Sequence, residues 1–115
     1  MIAKSPKPLL ELFLKCCQRL KEKTSAVTQQ EFLEDLDLFR IAERELEIAG
    51  QIAKDLDEAT LAEIGANLNW KGLKGLRDVL AHAYSSVRPE VIWHAASVDI
   101  AQFVGPVEKY LKKQS

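Results

Sequence analysis

This chain has little of what common enzyme sites are built from. In 115 residues it has two histidines, His82 and His94, and two cysteines, Cys16 and Cys17, and their spacing does not suit zinc. There is no glycine-rich phosphate loop of either common type. No serine stands at a strand-to-helix elbow, so a hydrolase triad has no support. The cysteines are neighbours in a leucine-rich helical pattern, cannot cross-link distant parts of the fold, and read as reduced core residues. No run approaches the roughly 20 apolar residues that a membrane span needs, and the start, Met1-Ile2-Ala3-Lys4-Ser5-Pro6, has no apolar region followed by a cleavage site. The expectation is a soluble cytoplasmic protein with no membrane partner, no metal and no cofactor. An excess of one charge is also lacking: 16 basic and 17 acidic residues give a net charge of −1. That excludes a global positive field for duplex binding, so DNA is not expected, and RNA would have to bind locally or across an assembled surface.

What the chain does have is helical periodicity. Pro6 and Pro8 punctuate the start, and Leu9, Leu10, Phe13, Cys16, Cys17 and Leu20 recur at three- and four-residue intervals, predicting a helix over about residues 7–23. Thr28 followed by Glu31 fits a capping box. From there Phe32, Leu36, Phe39, Ala42, Leu46, Ala49, Ala53 and Leu56 keep one apolar stripe for about 25 residues, the longest predicted element. Leu33, Leu38, Ile41, Ile48 and Ile52 widen it, which serves either a second subunit or a thick intramolecular core, and Gly50 permits a close helix approach. Thr60 and Glu63 can cap a short helical turn, Gly65, Asn67 and Asn69 supply loop chemistry, and Trp70 opens a helix to about Ala83. Gly72 and Gly75 cost that helix roughly 1 kcal/mol each against alanine, which points to backbone proximity. Ser85 and Ser86 break the pattern. Pro89 then suits the first turn of a last helix that buries Ile92, Ala96, Ile100, Phe103, Val107 and Leu111 and is bent or interrupted at Gly105-Pro106. No segment alternates like a strand and nothing repeats. The prediction is an all-α fold, an antiparallel bundle of four main helices in one domain.

The reactive side chains gather in Gly75-Leu76-Arg77-Asp78-Val79-Leu80-Ala81-His82-Ala83-Tyr84, an Arg-x4-His-x-Tyr pattern. On a helix Asp78 and His82 share a face, while Arg77 and His82 lie about 140° apart. Leu73, Leu76, Val79, Leu80 and Ala83 are expected inside, and Lys74, Asp78 and His82 outside. Histidine transfers protons near neutrality and arginine matches phosphate oxygens, which together suit phosphodiester cleavage. In RNA the 2′-hydroxyl is a built-in nucleophile, so such a site needs only proton transfer and charge stabilisation. Asp78 can orient His82 or raise its pKa. The competing reading of an Arg and a His at this spacing is an ordinary surface salt bridge. The angular separation favours a site shared by two subunits across a two-fold axis.

Arg40-Ile41-Ala42-Glu43-Arg44-Glu45-Leu46-Glu47-Ile48-Ala49-Gly50, then Asn69-Trp70, the motif itself and Val91-Ile92-Trp93 together resemble the HepT-like branch of the HEPN superfamily, over about residues 30–112. The resemblance implies a single HEPN domain over residues 1–115, a four- to five-helix homodimer, and a metal-independent endoribonuclease with Arg77, Asp78 and His82 as its catalytic residues. It further implies the toxin of a type VII (HEPN/MNT) toxin–antitoxin system acting on RNA such as tRNA or mRNA. The partner would be an MntA-type minimal nucleotidyltransferase antitoxin that transfers AMP from ATP to the motif tyrosine, here Tyr84. Gln51 departs from the Glu common among relatives, and Ser85-Ser86-Val87-Arg88 is less glycine-rich than usual. The alternative within the family is a non-catalytic nucleotide- or substrate-binding companion of a nucleotidyltransferase. Lys71 and Lys74 are candidate phosphate contacts or an ordinary solvated face. His94 reads as a packing or surface residue, and Trp70 and Trp93 as core or interface anchors.

Overall fold

A computed structural model describes residues 5–82 and 87–114. Helix follows helix, with no strand among the described residues. α1 (Lys7–Ser25) takes Pro8 into its first turn, where the missing N–H costs nothing, and buries Leu10, Phe13, Cys16, Cys17 and Leu20. The capping box forms: Glu31 N–H donates to Thr28 Oγ1 at 3.1 Å and Thr28 N–H to Glu31 Oε1 at 2.8 Å. The helix it starts, α2 (Gln29–Glu34), is short, which corrects the expectation of one long spine from Thr28. Asp35 is extended, at φ −104° and ψ 99°, and its carboxylate accepts the Leu38 N–H at 3.1 Å. A fresh N-cap therefore ends one helix and begins another, α3 (Leu36–Asp55), although the apolar stripe reads straight through. The turn leaves Leu36 63% exposed.

α4 (Glu58–Gly65) is capped by Asp57, whose carboxylate accepts the Thr60 N–H at 2.8 Å, and Thr60 lies inside the first turn instead of capping it. α5 (Trp70–His82) is capped by Asn69, whose side chain accepts the Gly72 N–H at 2.9 Å. A Cβ on Gly72 would collide with that carboxamide, so Gly72 does meet a close neighbour; Gly75 borders open space. α6 (Pro89–His94) runs into a π turn (Ala95–Asp99) and a 3₁₀ turn (Ile100–Phe103) before α7 (Val104–Lys113). The interruption expected at Gly105-Pro106 thus comes a turn early. Pro106 offers no N–H to the carbonyl of Gln102, and the backbone tightens ahead of it. Ile92, Ala96, Ile100, Phe103 and Val107 are buried as the spacing predicts, joined by Tyr110.

One core joins these elements. Trp70 stands among Phe13 and Phe103, with ring centroids 6.1 and 4.7 Å away, and its indole N–H donates to the Gly65 carbonyl at 3.0 Å. Trp93 packs on Phe32 at 5.2 Å. Both tryptophans are anchors, as expected. α3 and α5 run antiparallel: Glu58, just past α3, pairs with Lys74, Lys54 with Asp78, and Gly50 meets Arg77. No helix among the described residues is long and apolar enough to cross a membrane.

Candidate functional site

Arg77 is not on the outer face of its helix. Counting about 100° per residue, it falls between Leu73 and Trp70, the two fully core-facing residues of α5. It fits there because α3 presents Gly50: a Cβ at that position would run into Arg77 Cβ and stand 2.9 Å from the Leu73 carbonyl oxygen. The close approach that Gly50 permits is therefore used by the motif arginine. The Arg77 side chain is 22% exposed. Its Nε is buried with no hydrogen-bond partner, its Nη1 donates to Asp78 Oδ1 at 3.2 Å, and its Nη2 makes no hydrogen bond among the described residues. An arginine held in the core wall with a donor left over is poised for an acceptor that arrives from outside.

Asp78 is exposed and bonded from two sides. Lys54 Nζ, from α3, donates to its Oδ1 at 2.6 Å, and Arg77 donates to the same oxygen. The Lys54 hydrogen bond, with a smaller contribution from Arg77, holds the Asp78 carboxyl below the usual carboxylate range against the opposing effect of desolvation. None of its hydrogen bonds goes to His82, so the expected Asp78–His82 orienting contact is replaced by a tie to α3. Lys54 is the residue the sequence reading missed. Its only signal was position: it follows Gly50 by one helical turn, on the same face.

His82 closes α5 on the exposed side, with no hydrogen bond or ion pair to another described residue. The structure thus joins Arg77, Asp78 and Lys54, and leaves His82 on the neighbouring outward face. Lys74 is engaged by Glu58, its Nζ donating at 2.8 Å, while Lys71 is exposed. Residues 83–86, which include Tyr84 and the break expected at Ser85 and Ser86, lie outside the described residues. His94 makes a surface pair with Asp99 at 3.1 Å. Beside the motif, Gly75 and Val79 of α5 and Val91 of α6 line a cleft of about 370 Å³, with Val79 38% and Val91 41% exposed, so Val79 lies on the rim and not inside. A larger groove of about 990 Å³, between α1 and the last helical stretch, contains none of the motif residues. Burial pushes both thiols up to about 12, helped at Cys16 by the nearby Glu45 carboxylate, so both stay protonated.

Residues 13–110 match the family model described as "Ribonuclease HepT-like". A "Putative RNase" of Caldanaerobacter subterraneus subsp. tengcongensis is 32% identical over 111 residues, covering 96% of this chain and 98% of that one. A "Putative RNase" of Methanocaldococcus jannaschii is 30% identical over 89 residues, 77% of this chain and 73% of that one. A "Probable ribonuclease HepT" of Thermococcus cleftensis is 28% identical over 109 residues, 95% of this chain and 98% of that one. No solved structure matches the chain significantly.

Proposed function

The chain belongs to the HepT-like ribonuclease family, and on that premise we propose that it is a metal-independent endoribonuclease with Arg77 and His82 as its working residues. The observation that carries this reading is Arg77, a permanent cation set into the core wall with its Nε buried and unpartnered and its Nη2 making no hydrogen bond among the described residues. A purely structural arginine would have its buried donor satisfied. His82 accepts the proton of an RNA 2′-hydroxyl as that oxygen attacks the adjacent phosphorus. Arg77 stabilises the charge that builds on the phosphoryl oxygens, and the bond to the 5′-oxygen breaks with protonation of the leaving group. The products are a 2′,3′-cyclic phosphate and a 5′-hydroxyl.

The site is shared between two copies. Within one chain Arg77 leans on α3 while His82 faces outward, so facing motif helices give each cleft a histidine to act as base and another to act as acid. The exposed Val79 and Val91 beside the motif suit a subunit contact. Purified protein should cleave RNA in excess EDTA, and Arg77→Ala and His82→Ala should each lose at least about 100-fold. Mixing the two inactive variants should recover a small part of the activity, because a mixed dimer keeps one arginine and one histidine in the cleft, with water left to protonate the leaving group. Full activity in either variant, or RNA bound without cleavage by the wild type, would sink the nuclease; the latter outcome would leave a nucleotide-binding subunit.

The role proposed for this activity is that of a toxin in a type VII toxin–antitoxin pair. Its antitoxin, an MntA-type nucleotidyltransferase, would place AMP on Tyr84, setting a bulky anion beside Arg77 and His82 that blocks the cleft and cancels its charge. Intact-mass spectra of the wild type with that partner and ATP should show AMP adducts that Tyr84→Phe abolishes. Adducts that persist in Tyr84→Phe would place the modification elsewhere.

A further inference from the structure

We propose that Lys54, together with Gly50 one turn before it on α3, is a positioning device for Arg77, with Lys54 acting through Asp78. The inference rests on the ribonuclease reading of this site and names how the site is kept open for phosphate. Gly50 and Lys54 are four residues apart and therefore share a face of α3. Gly50 lets the stem of Arg77 lie against the helix, since any side chain there would meet Arg77 Cβ. Lys54 reaches past it to hold Asp78 Oδ1 at 2.6 Å, the oxygen that also takes Arg77 Nη1 at 3.2 Å.

The chemistry of that shared oxygen gives the device its purpose. An aspartate next to an arginine and otherwise free would turn its whole carboxylate to the guanidinium and occupy both nitrogens of the end-on fork. Such a bidentate pair would neutralise Arg77 and hide it from RNA. Lys54 prevents this by drawing Asp78 toward α3. Among the described residues Arg77 then commits only Nη1, Nη2 is left to meet a phosphoryl oxygen, and the three side chains keep one net positive charge.

The test is a double-mutant cycle with a second readout that does not depend on cleavage. Lys54→Met should lower kcat for RNA cleavage by about tenfold with KM nearly unchanged, and Lys54→Arg should recover most of the loss. In an Asp78→Asn background, where no carboxylate competes for Arg77, adding Lys54→Met should change kcat by less than about twofold. Equal losses in both backgrounds would mean that Lys54 touches RNA directly, and no loss in either would mean that it does nothing. Both outcomes overturn the proposal. Side-chain nitrogen NMR of Arg77 supplies the independent readout: Lys54→Met should slow rotation of the guanidinium as Asp78 closes on it. An Arg77 spectrum identical in wild type and Lys54→Met would defeat the positioning role even if the chain proved not to cut RNA.

Discussion

One arginine–carboxylate pair between α1 and α3 and another on α5, beside α3, are built in opposite senses. Between α1 and α3, Arg19 meets Glu45 at 3.1 Å with side chains 53% and 10% exposed: the carboxylate is inside and the cation stands in water. On α5, Arg77 meets Asp78 at 3.2 Å with side chains 22% and 50% exposed, so the cation is inside and the carboxylate outside. The first arrangement satisfies its buried member, since Glu45 accepts a hydrogen bond from Arg19. The second leaves the buried Nε of Arg77 without a partner. A pair that serves the fold satisfies what it buries, whereas the Arg77 pair tolerates an unsatisfied buried donor, a cost that a purely structural pair has no reason to carry.

This contrast can be broken in the laboratory, and the largest effect should come from Arg77→Met. The apolar stem is kept and the unsatisfied donor removed, so thermal stability should hold or rise, while RNA cleavage falls by at least about 100-fold. A matching loss of stability would show that Arg77 is a structural residue after all. Arg19→Met should do the reverse. Stripped of its ionic partner, the buried Glu45 carboxylate should cost about 1–3 kcal/mol of stability, with cleavage unchanged. If cleavage fell with stability intact, the division of labour between the two pairs would be wrong.

The smallest effect concerns pH. Because Asp78 is held below the usual carboxylate range in the folded chain, its contribution to stability is present above the unfolded carboxylate value, near about 3.9, and is lost as pH falls through the lower folded value. Carboxyl NMR should therefore find Asp78 still ionised where an ordinary aspartate is half protonated. The exposure of the group keeps the stability change small. An Asp78 titration at the ordinary value would remove Lys54 as its principal partner.

Much of this was legible in the sequence. Periodicity gave the helices, Thr28 and Glu31 gave their capping box, and Ile92 to Val107 gave a buried face through an interrupted helix. What failed did so for identifiable reasons. The stripe through Phe32, Leu36 and Phe39 carried the helix across Asp35, because periodicity registers apolar spacing and not the competing capping bond to Leu38. The apolar pattern assigned Arg77 to neither face of its helix. Only Gly50, 27 residues earlier, makes room for it inside. Lys54 was invisible for a similar reason: its role depends on which residues of α3 lie opposite Asp78, a matter of tertiary pairing that no local pattern encodes.

The Asn69 cap has a consequence beyond ending a loop. It fixes where α5 starts, and so the angular phase of every side chain on it. A cap displaced by one residue would turn the whole helix by about 100° relative to α3, carrying Arg77 away from Gly50 and turning His82 toward a different neighbour. Roughly 12 Å of helix separates Asn69 from Arg77, yet the carboxamide and the glycine that accommodates it act as the index mark from which the site is clocked.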